Sequence, residues 1–242
     1  MSTPRIHWIS NDDPPQAFPE LSKACTEPDG LLAAGGDLSA ERLLYAYQHG
    51  IFPWYSEGQV VLWWSPDPRC VLAPNEFHLS RRLRRELRTS EYQVSFNQAF
   101  AGVVAECAAS RESQDGTWIT ADMAVSYNDL HDKGWAHSVE IWHGNNLVGG
   151  LYGLAIGRVF FGESMFSRVS QASKIAMLAL TNWLLKHDFL LLDCQVASPH
   201  LLSLGAKLIS RPSFQDLLLE ACDPPIRFAE WPSERESVAT LA

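Results

Sequence analysis

Two carboxylates and an amide interrupt stretches of this chain that are otherwise apolar. In Phe189-Leu190-Leu191-Leu192-Asp193-Cys194-Gln195-Val196 a phenylalanine and three leucines lead into an acid and an amide two residues apart. Side chains alternate along a strand, which predicts Asp193 and Gln195 on one face and Cys194 on the other, in the core. A run this apolar reads as a strand buried on both faces. An unpaired carboxylate there would cost on the order of several kcal/mol, so Asp193 must be hydrogen-bonded, charge-paired or open to a cleft. The run Phe160-Phe161-Gly162-Glu163-Ser164-Met165-Phe166-Ser167-Arg168 repeats the pattern with Glu163, and Gly162 beside it permits close approach of a backbone or ligand. Acids held in such surroundings cluster at sites of catalysis, although an acid capping a turn, or Glu163 paired with Arg168, accounts for the same residues without chemistry.

The elements that must position these groups follow from periodicity and turn residues. The first third of the chain, residues 1–69, is rich in tryptophan, proline and glycine and reads as a small loop-rich domain. It holds one helix that starts at Ser39, carries Leu43, Leu44 and Tyr47 on one face and stops at Gly50. Pro66 and Pro68 mark a boundary, and residues 70–242 form the second domain. There, helices are predicted over 78–88, 97–109 and 121–133, then strands over 137–143, 147–155 and 158–163 joined by tight turns. A helix over 171–186 delivers the chain into the strand at Phe189, a crossover step. A short helix near 199–204, a strand over 207–210 and a helix over 214–221 complete the order, and the charged tail after Trp231 is expected to be mobile. Helices, a meander, then alternating helix and strand make an α+β, acetyltransferase-like (GNAT-type) fold with a mixed sheet flanked by helices. In such a fold the strands ending at Glu163 and Gln195 are neighbours that splay apart, and substrates enter the gap.

Composition narrows the function. The five cysteines are scattered without a C-x-x-C pair, and the eight histidines show no ligand spacing, which excludes a disulfide framework and gives no metal site. No basic leader or long uncharged apolar segment is present, so a soluble cytoplasmic protein is expected, with no membrane partner. A net charge of −9 argues against wholesale coating of nucleic acid. Against that background His78 to Arg88 is anomalous, with Arg81, Arg82, Arg84, Arg85 and Arg88 against Glu86 alone. At helical spacing Leu79, Leu83 and Leu87 form a stripe opposite Arg81, Arg84, Arg85 and Arg88, a face that could grip nucleic-acid phosphates or merely be solvated.

Several motifs together carry a resemblance. Gly162-Glu163-Ser164-Met165-Phe166-Ser167 with Ala172-Ser173-Lys174, Leu192-Asp193-Cys194-Gln195, Gly35-Gly36-Asp37-Leu38-Ser39, Gly50-Ile51-Phe52-Pro53-Trp54, Trp63 to Arg69 and Gly116-Thr117-Trp118-Ile119-Thr120 are similar, in order, to the leucyl/phenylalanyl-tRNA protein transferase family. The resemblance implies transfer of leucine or phenylalanine, less efficiently methionine, from aminoacyl-tRNA to a protein whose N-terminus is arginine or lysine, marking it for N-end rule degradation. It implies no cofactor, and a monomer is the simplest state. It matches Trp54, Trp118, Phe160 and Met165 to the pocket for the aminoacyl side chain, with Leu151 where methionine is expected. Asp193, Gln195 and Glu163 become the catalytic candidates. Asp193 bonded to Gln195 would orient the amide to accept from the attacking amine, and Glu163 would bind the aminoacyl-adenosine end or the cationic N-terminal residue.

Three other readings compete. A CoA-dependent N-acetyltransferase shares the proposed fold, but its pyrophosphate cradle calls for a glycine-rich turn, and Ser167 to Lys174 has no glycine. A cysteine hydrolase using Cys194 and His200 requires a thiol that alternation turns into the core. A noncatalytic RNA-binding module explains the arginines but not the two acids.

Overall fold

The computed structural model describes residues 6–112 and 119–242. Its first part is more ordered than the loop-rich composition predicts. Strands β1 (His7–Ile9), β2 (Leu31–Gly35), β3 (Phe52–Pro53) and β4 (Leu62–Trp64) form a sheet in the order β1-β2-β4-β3. Strands this short, broken by proline and glycine, carry no readable alternation. Helix α1 (Ala40–Gln48) follows Ser39 and ends where the sequence places its stop: Gly50, at φ +76°, lets the Ile51 amide return to the Ala46 carbonyl. The Ser39 hydroxyl makes no capping bond; instead the Ser39 amide donates to Asp37.

The remainder is one eight-stranded mixed sheet with helices on both faces. In chain order come β5 (Arg69–Leu72), α2 (Arg81–Leu87), β6 (Tyr92–Phe96), α3 (Phe100–Glu112), α4 (Ala121–Asp132), β7 (Ala136–His143), β8 (Asn146–Ile156) and β9 (Val159–Ser167). Then follow α5 (Ala172–Lys186), β10 (Leu191–Gln195), α6 (Pro199–Ser203), β11 (Lys207–Ile209), α7 (Arg211–Cys222) and β12 (Glu236–Ser237). The sheet order is β11-β5-β10-β9-β8-β7-β6-β12. All pairings are antiparallel except β9 with β10, whose parallel contact is made possible by the α5 crossover. Helix α5 is apolar on nearly every side because it is sandwiched between the sheet and the segments around α2 and the C-terminus, while α3 and α4 cover the other face.

The sequence did not disclose β5, β6 or β12. It also misjudged the tail, which is docked rather than mobile. β12 pairs with β6, and Val238 is fully buried. Trp231 stacks on Trp183 at 3.8 Å and on His137 at 4.1 Å, and meets Phe160 edge-on at 6.4 Å. Apolar residues of the tail are sparse, but Trp231 enters an aromatic cluster already present on α5 and β7, and Val238 joins the core around α5. Trp231→Ala should therefore lower unfolding free energy by about 2–3 kcal/mol, below the range for a fully buried tryptophan, as measured by urea denaturation.

Candidate active site

The parallel contact of β9 and β10 is brief. Leu191 to Asp193 pair with Val159 to Phe161, after which β9 continues to Ser167 beside β8 alone. The gap opens into a cavity of about 360 Å³, within the size range of small-molecule sites. Its apolar wall includes Leu151, Phe160 and Met165, together with Met177 and Leu180 from α5 and Leu192. Trp54 and Val196 also line it and remain substantially exposed, the indole at 41 %. Trp118 lies outside the described residues.

Two bulges aim the polar groups into this gap. On β9, Tyr152 pairs with Ser164 and Gly153 with Gly162, which leaves Glu163 as the extra residue. Gly153 is required there, since a Cβ would come within 2.1 Å of the Phe161 carbonyl oxygen. On β10, Asp193 pairs with Val71 and Gln195 with Cys70, so Cys194 is unmatched. Gln195 adopts φ +61°, an uncommon conformation for a side chain of its size. Simple alternation therefore fails at the point where the sequence reading relied on it. Cys194 lines the cavity together with Asp193 and Gln195 while also packing against the core. The neighbouring Cys70 thiol and burial push the Cys194 thiol well above its ordinary value, which keeps it protonated and a poor nucleophile.

Asp193 is fully buried and its partner is Arg69. The guanidinium donates from Nε to Oδ1 at 2.8 Å and from Nη2 to Oδ2 at 2.7 Å, a bidentate pair. Nη1 donates to the Gly50 carbonyl at 3.1 Å, and the guanidinium lies 4.8 Å from the ring centres of both Phe52 and Phe214. Asp193 reaches Gln195 through the backbone: the Gln195 amide donates to Oδ1 at 2.9 Å. That bond fixes the strained turn and sends the side-chain amide the other way, where Nε2 donates to Glu163 Oε1 at 2.8 Å. Among the described residues no protein donor reaches Gln195 Oε1.

Glu163 is almost entirely enclosed. The Tyr47 hydroxyl from α1 lies within hydrogen-bond distance of Oε1 and the Tyr127 hydroxyl from α4 within that of Oε2, each at 2.7 Å. Burial outweighs these bonds and, with a smaller push from Asp193, raises the carboxyl pKa from 4.5 to about 7. Arg168 pairs with Glu106 on the surface and does not touch Glu163. The five arginines Arg81, Arg82, Arg84, Arg85 and Arg88 are exposed on and just after α2, while Leu83 and Leu87 are buried beneath them. Arg82 pairs with Glu86 at 2.7 Å.

Sequence reasoning missed Arg69, Tyr47, Tyr127, Met177 and Leu180. Arg69 left a signal, because it opens the apolar run Arg69-Cys70-Val71-Leu72, and a buried cation there is the natural partner for a buried acid. Tyr47 stands on an apolar helix face with Leu43 and Leu44, and a phenol buried on such a face needs a partner.

Comparison with known proteins yields the following. The family model described as leucyl/phenylalanyl-tRNA protein transferase matches residues 71–219, and the model of that family's N-terminal domain matches residues 36–67. The leucyl/phenylalanyl-tRNA--protein transferase of Ectopseudomonas mendocina is 55 % identical over 93 % of this chain and 99 % of its own. That of Pseudomonas putida is 56 % identical over 94 % and 100 %. A GCN5-related N-acetyltransferase-like protein from Streptococcus suis superposes with TM-score 0.35 at 12 % identity over 68 % of this chain and 61 % of its own, a likeness too weak to carry an argument.

Removing one member of the buried pair strands the other. Arg69→Met should destabilise the protein by about 3–5 kcal/mol, whereas Arg69→Met combined with Asp193→Leu should recover most of that loss. Chemical denaturation of both variants checks the ordering.

Proposed function

Because the chain belongs to the leucyl/phenylalanyl-tRNA protein transferase family, we propose that it transfers leucine and phenylalanine, and less efficiently methionine, from aminoacyl-tRNA to an N-terminal arginine or lysine of an acceptor protein. The product would be marked for N-end rule degradation. One observation carries the reading: an apolar cavity ends at Gln195, whose Oε1 is an uncommitted acceptor held in place from both sides.

The donor is an activated ester, so positioning and charge stabilisation suffice and no cofactor is needed. The α-amine attacks the ester carbonyl, the carbon–nitrogen bond forms, and the bond to the terminal ribose oxygen breaks. A proton given up by the amine ends on that oxygen. Gln195 Oε1 accepts a hydrogen bond from the amine and orients its lone pair toward the carbonyl carbon. Asp193 acts on Gln195 through the backbone amide and is itself held by Arg69. Glu163, with its oxygens taken by Tyr47, Tyr127 and Gln195, holds the amide of Gln195 in preference to binding a cationic substrate.

Leu151, Phe160, Met165, Met177, Leu180 and Leu192 receive the aminoacyl side chain. One methylene in such a pocket is worth about 1–3 kcal/mol, so leucine is favoured over valine, though incompletely. Met165 and Met177 adapt to a branched or a flat side chain. Leu151 is stiffer than methionine and biases the pocket toward shapes it already fits. The exposed indole of Trp54 offers a stacking face for the terminal adenine, and Arg81, Arg82, Arg84, Arg85 and Arg88 contact the acceptor-stem phosphates. Residues 1–69 and 70–242 act as two domains, the first supplying Gly50, Phe52 and Trp54 to the site of the second.

The competing acetyltransferase reading is disfavoured at the start of α5. Gln171 holds the left-handed position, and the Ser167 hydroxyl already accepts from the Ser173 amide at 3.3 Å, so the first turn does not present an open cradle.

Incubation with radiolabelled leucyl-tRNA and a peptide beginning with arginine should place label on the peptide N-terminus, with no acyl transfer from acetyl-CoA; the reverse pattern would establish the acetyltransferase reading. Gln195→Ala should lower kcat by about a hundredfold. Charge reversal at Arg81 and Arg84 should weaken tRNA binding and reduce its salt slope by roughly one for each phosphate that the variant no longer neutralises. An unchanged slope removes α2 from the tRNA interface.

A further inference from the structure

Glu163, Tyr47 and Tyr127 bring three pairs of oxygens within hydrogen-bond distance. Tyr47 and Tyr127 each lie 2.7 Å from a different carboxyl oxygen, and the two phenol oxygens lie 2.5 Å from each other. Each contact needs a proton between its oxygens, since facing lone pairs at that separation repel. Two phenols supply two protons, and an ionised carboxylate only accepts. If both phenols donate to a carboxylate, nothing is left for the contact between them. Three contacts close only with a third proton, and the Glu163 carboxyl is the remaining place to carry it. The order is then Glu163 Oε2–H to Tyr127, Tyr127 O–H to Tyr47, and Tyr47 O–H to Glu163 Oε1. Oε1 keeps a lone pair for Gln195 Nε2.

Charge leads to the same conclusion independently. Glu163 is faced by Tyr47 from α1, Tyr127 from α4 and Asp193 from β10, with Tyr152 of β8 close to both phenols. Arg69, from β5, is committed to Asp193 through Nε and Nη2. Among the described residues no cation pairs with Glu163. Ionised, it would be an uncompensated charge in a buried cluster; protonated, it leaves the cluster neutral.

We propose that in the working enzyme Glu163 is an un-ionised carboxylic acid, the third donor of a closed hydrogen-bonded ring with Tyr127 and Tyr47, and that this ring is the positioning device that fixes the place of the carboxyl and, through it, of the Gln195 amide. The neutral carboxyl offers its carbonyl oxygen to Gln195 Nε2, which leaves Gln195 Oε1 directed at the cavity. Loss of the proton opens the ring at the contact between the phenols, because burial holds both phenols well above their ordinary pKa and keeps them protonated; their oxygens then repel and part, and the carboxylate that both still bond shifts under Gln195 Nε2. With the Glu163 carboxyl raised to about 7, the closed ring is fully present at acidic pH and is lost as pH rises through that value.

Infrared difference spectra of the intact protein against Glu163→Gln test the protonation directly. A carboxylic-acid carbonyl stretch is expected roughly one pH unit below the titration point, giving way to carboxylate absorption a similar interval above it. Carboxylate absorption alone at the lower pH overturns the proposal, whatever reaction the enzyme performs. A second arm rests on the aminoacyl-transfer reading. Glu163→Gln can complete the ring by donating from its amide to Tyr127, so it should retain on the order of tenfold to a hundredfold more activity than Glu163→Ala, the cost of stranded buried hydrogen bonds. It should also lack the alkaline fall in kcat that wild type shows. Equal loss in both variants, with unchanged thermal melts, overturns the positioning role while leaving the aminoacyl-transfer reading intact.

Discussion

The buried ion pair of Arg69 and Asp193 is the constraint on which the remaining geometry depends. Both partners are removed from water, so their mutual attraction must offset the desolvation of two charges. A pair of apolar residues would do as well for stability alone. What the ions add is direction. The guanidinium ties β5 to β10, reaches back to the Gly50 carbonyl behind α1 and lies between Phe52 and Phe214. Asp193, held bidentately, has the reach to accept the Gln195 amide as well, and that bond steadies a backbone conformation which Gln195 would otherwise avoid.

The polar cluster and the apolar cavity answer different chemical demands. In the proposed reaction the ester is already activated, so little covalent work falls to the protein, and geometry at the nucleophile matters most. Gln195 is gripped at its backbone by one acid and at its side chain by the other, which leaves its carbonyl oxygen as the group free to act. On the proposed reading the cavity around it would give bulk apolar recognition, with flexible methionines in the wall. Selection there would be by size and shape and correspondingly permissive.

Much of this was legible from residue types. The burial of Asp193 and Glu163 in apolar runs announced that both needed partners, and the order of meander and crossover defined the middle of the sheet, β7 to β10, that holds them. The splay between β9 and β10 followed from that order. The local rule of alternation failed, because bulges at Glu163 and Cys194 add one residue to each strand, and a bulge is set by cross-strand pairing that the segment itself does not encode. For the same reason Tyr47 and Tyr127, separated by 80 residues, could not be joined from spacing alone. Glu140 shows the converse. This fully buried acid on β7 accepts from Ser95, Ser138 and the amides of Gln98 and Ala99, anchoring the start of α3, so an acid in a strand is not by itself a site.

The short strand β12 matters outside the active site as well. An open sheet offers unpaired backbone groups along its two outer strands, and these recruit other chains. Here one border is a strand of three residues, Lys207–Ile209, and the other a strand of two, Glu236–Ser237, laid over the five residues of β6. Both borders are too short to template a long intermolecular pairing. Without Glu236 and Ser237 in place, β6 would stand as a longer open edge, of the kind other chains can pair with.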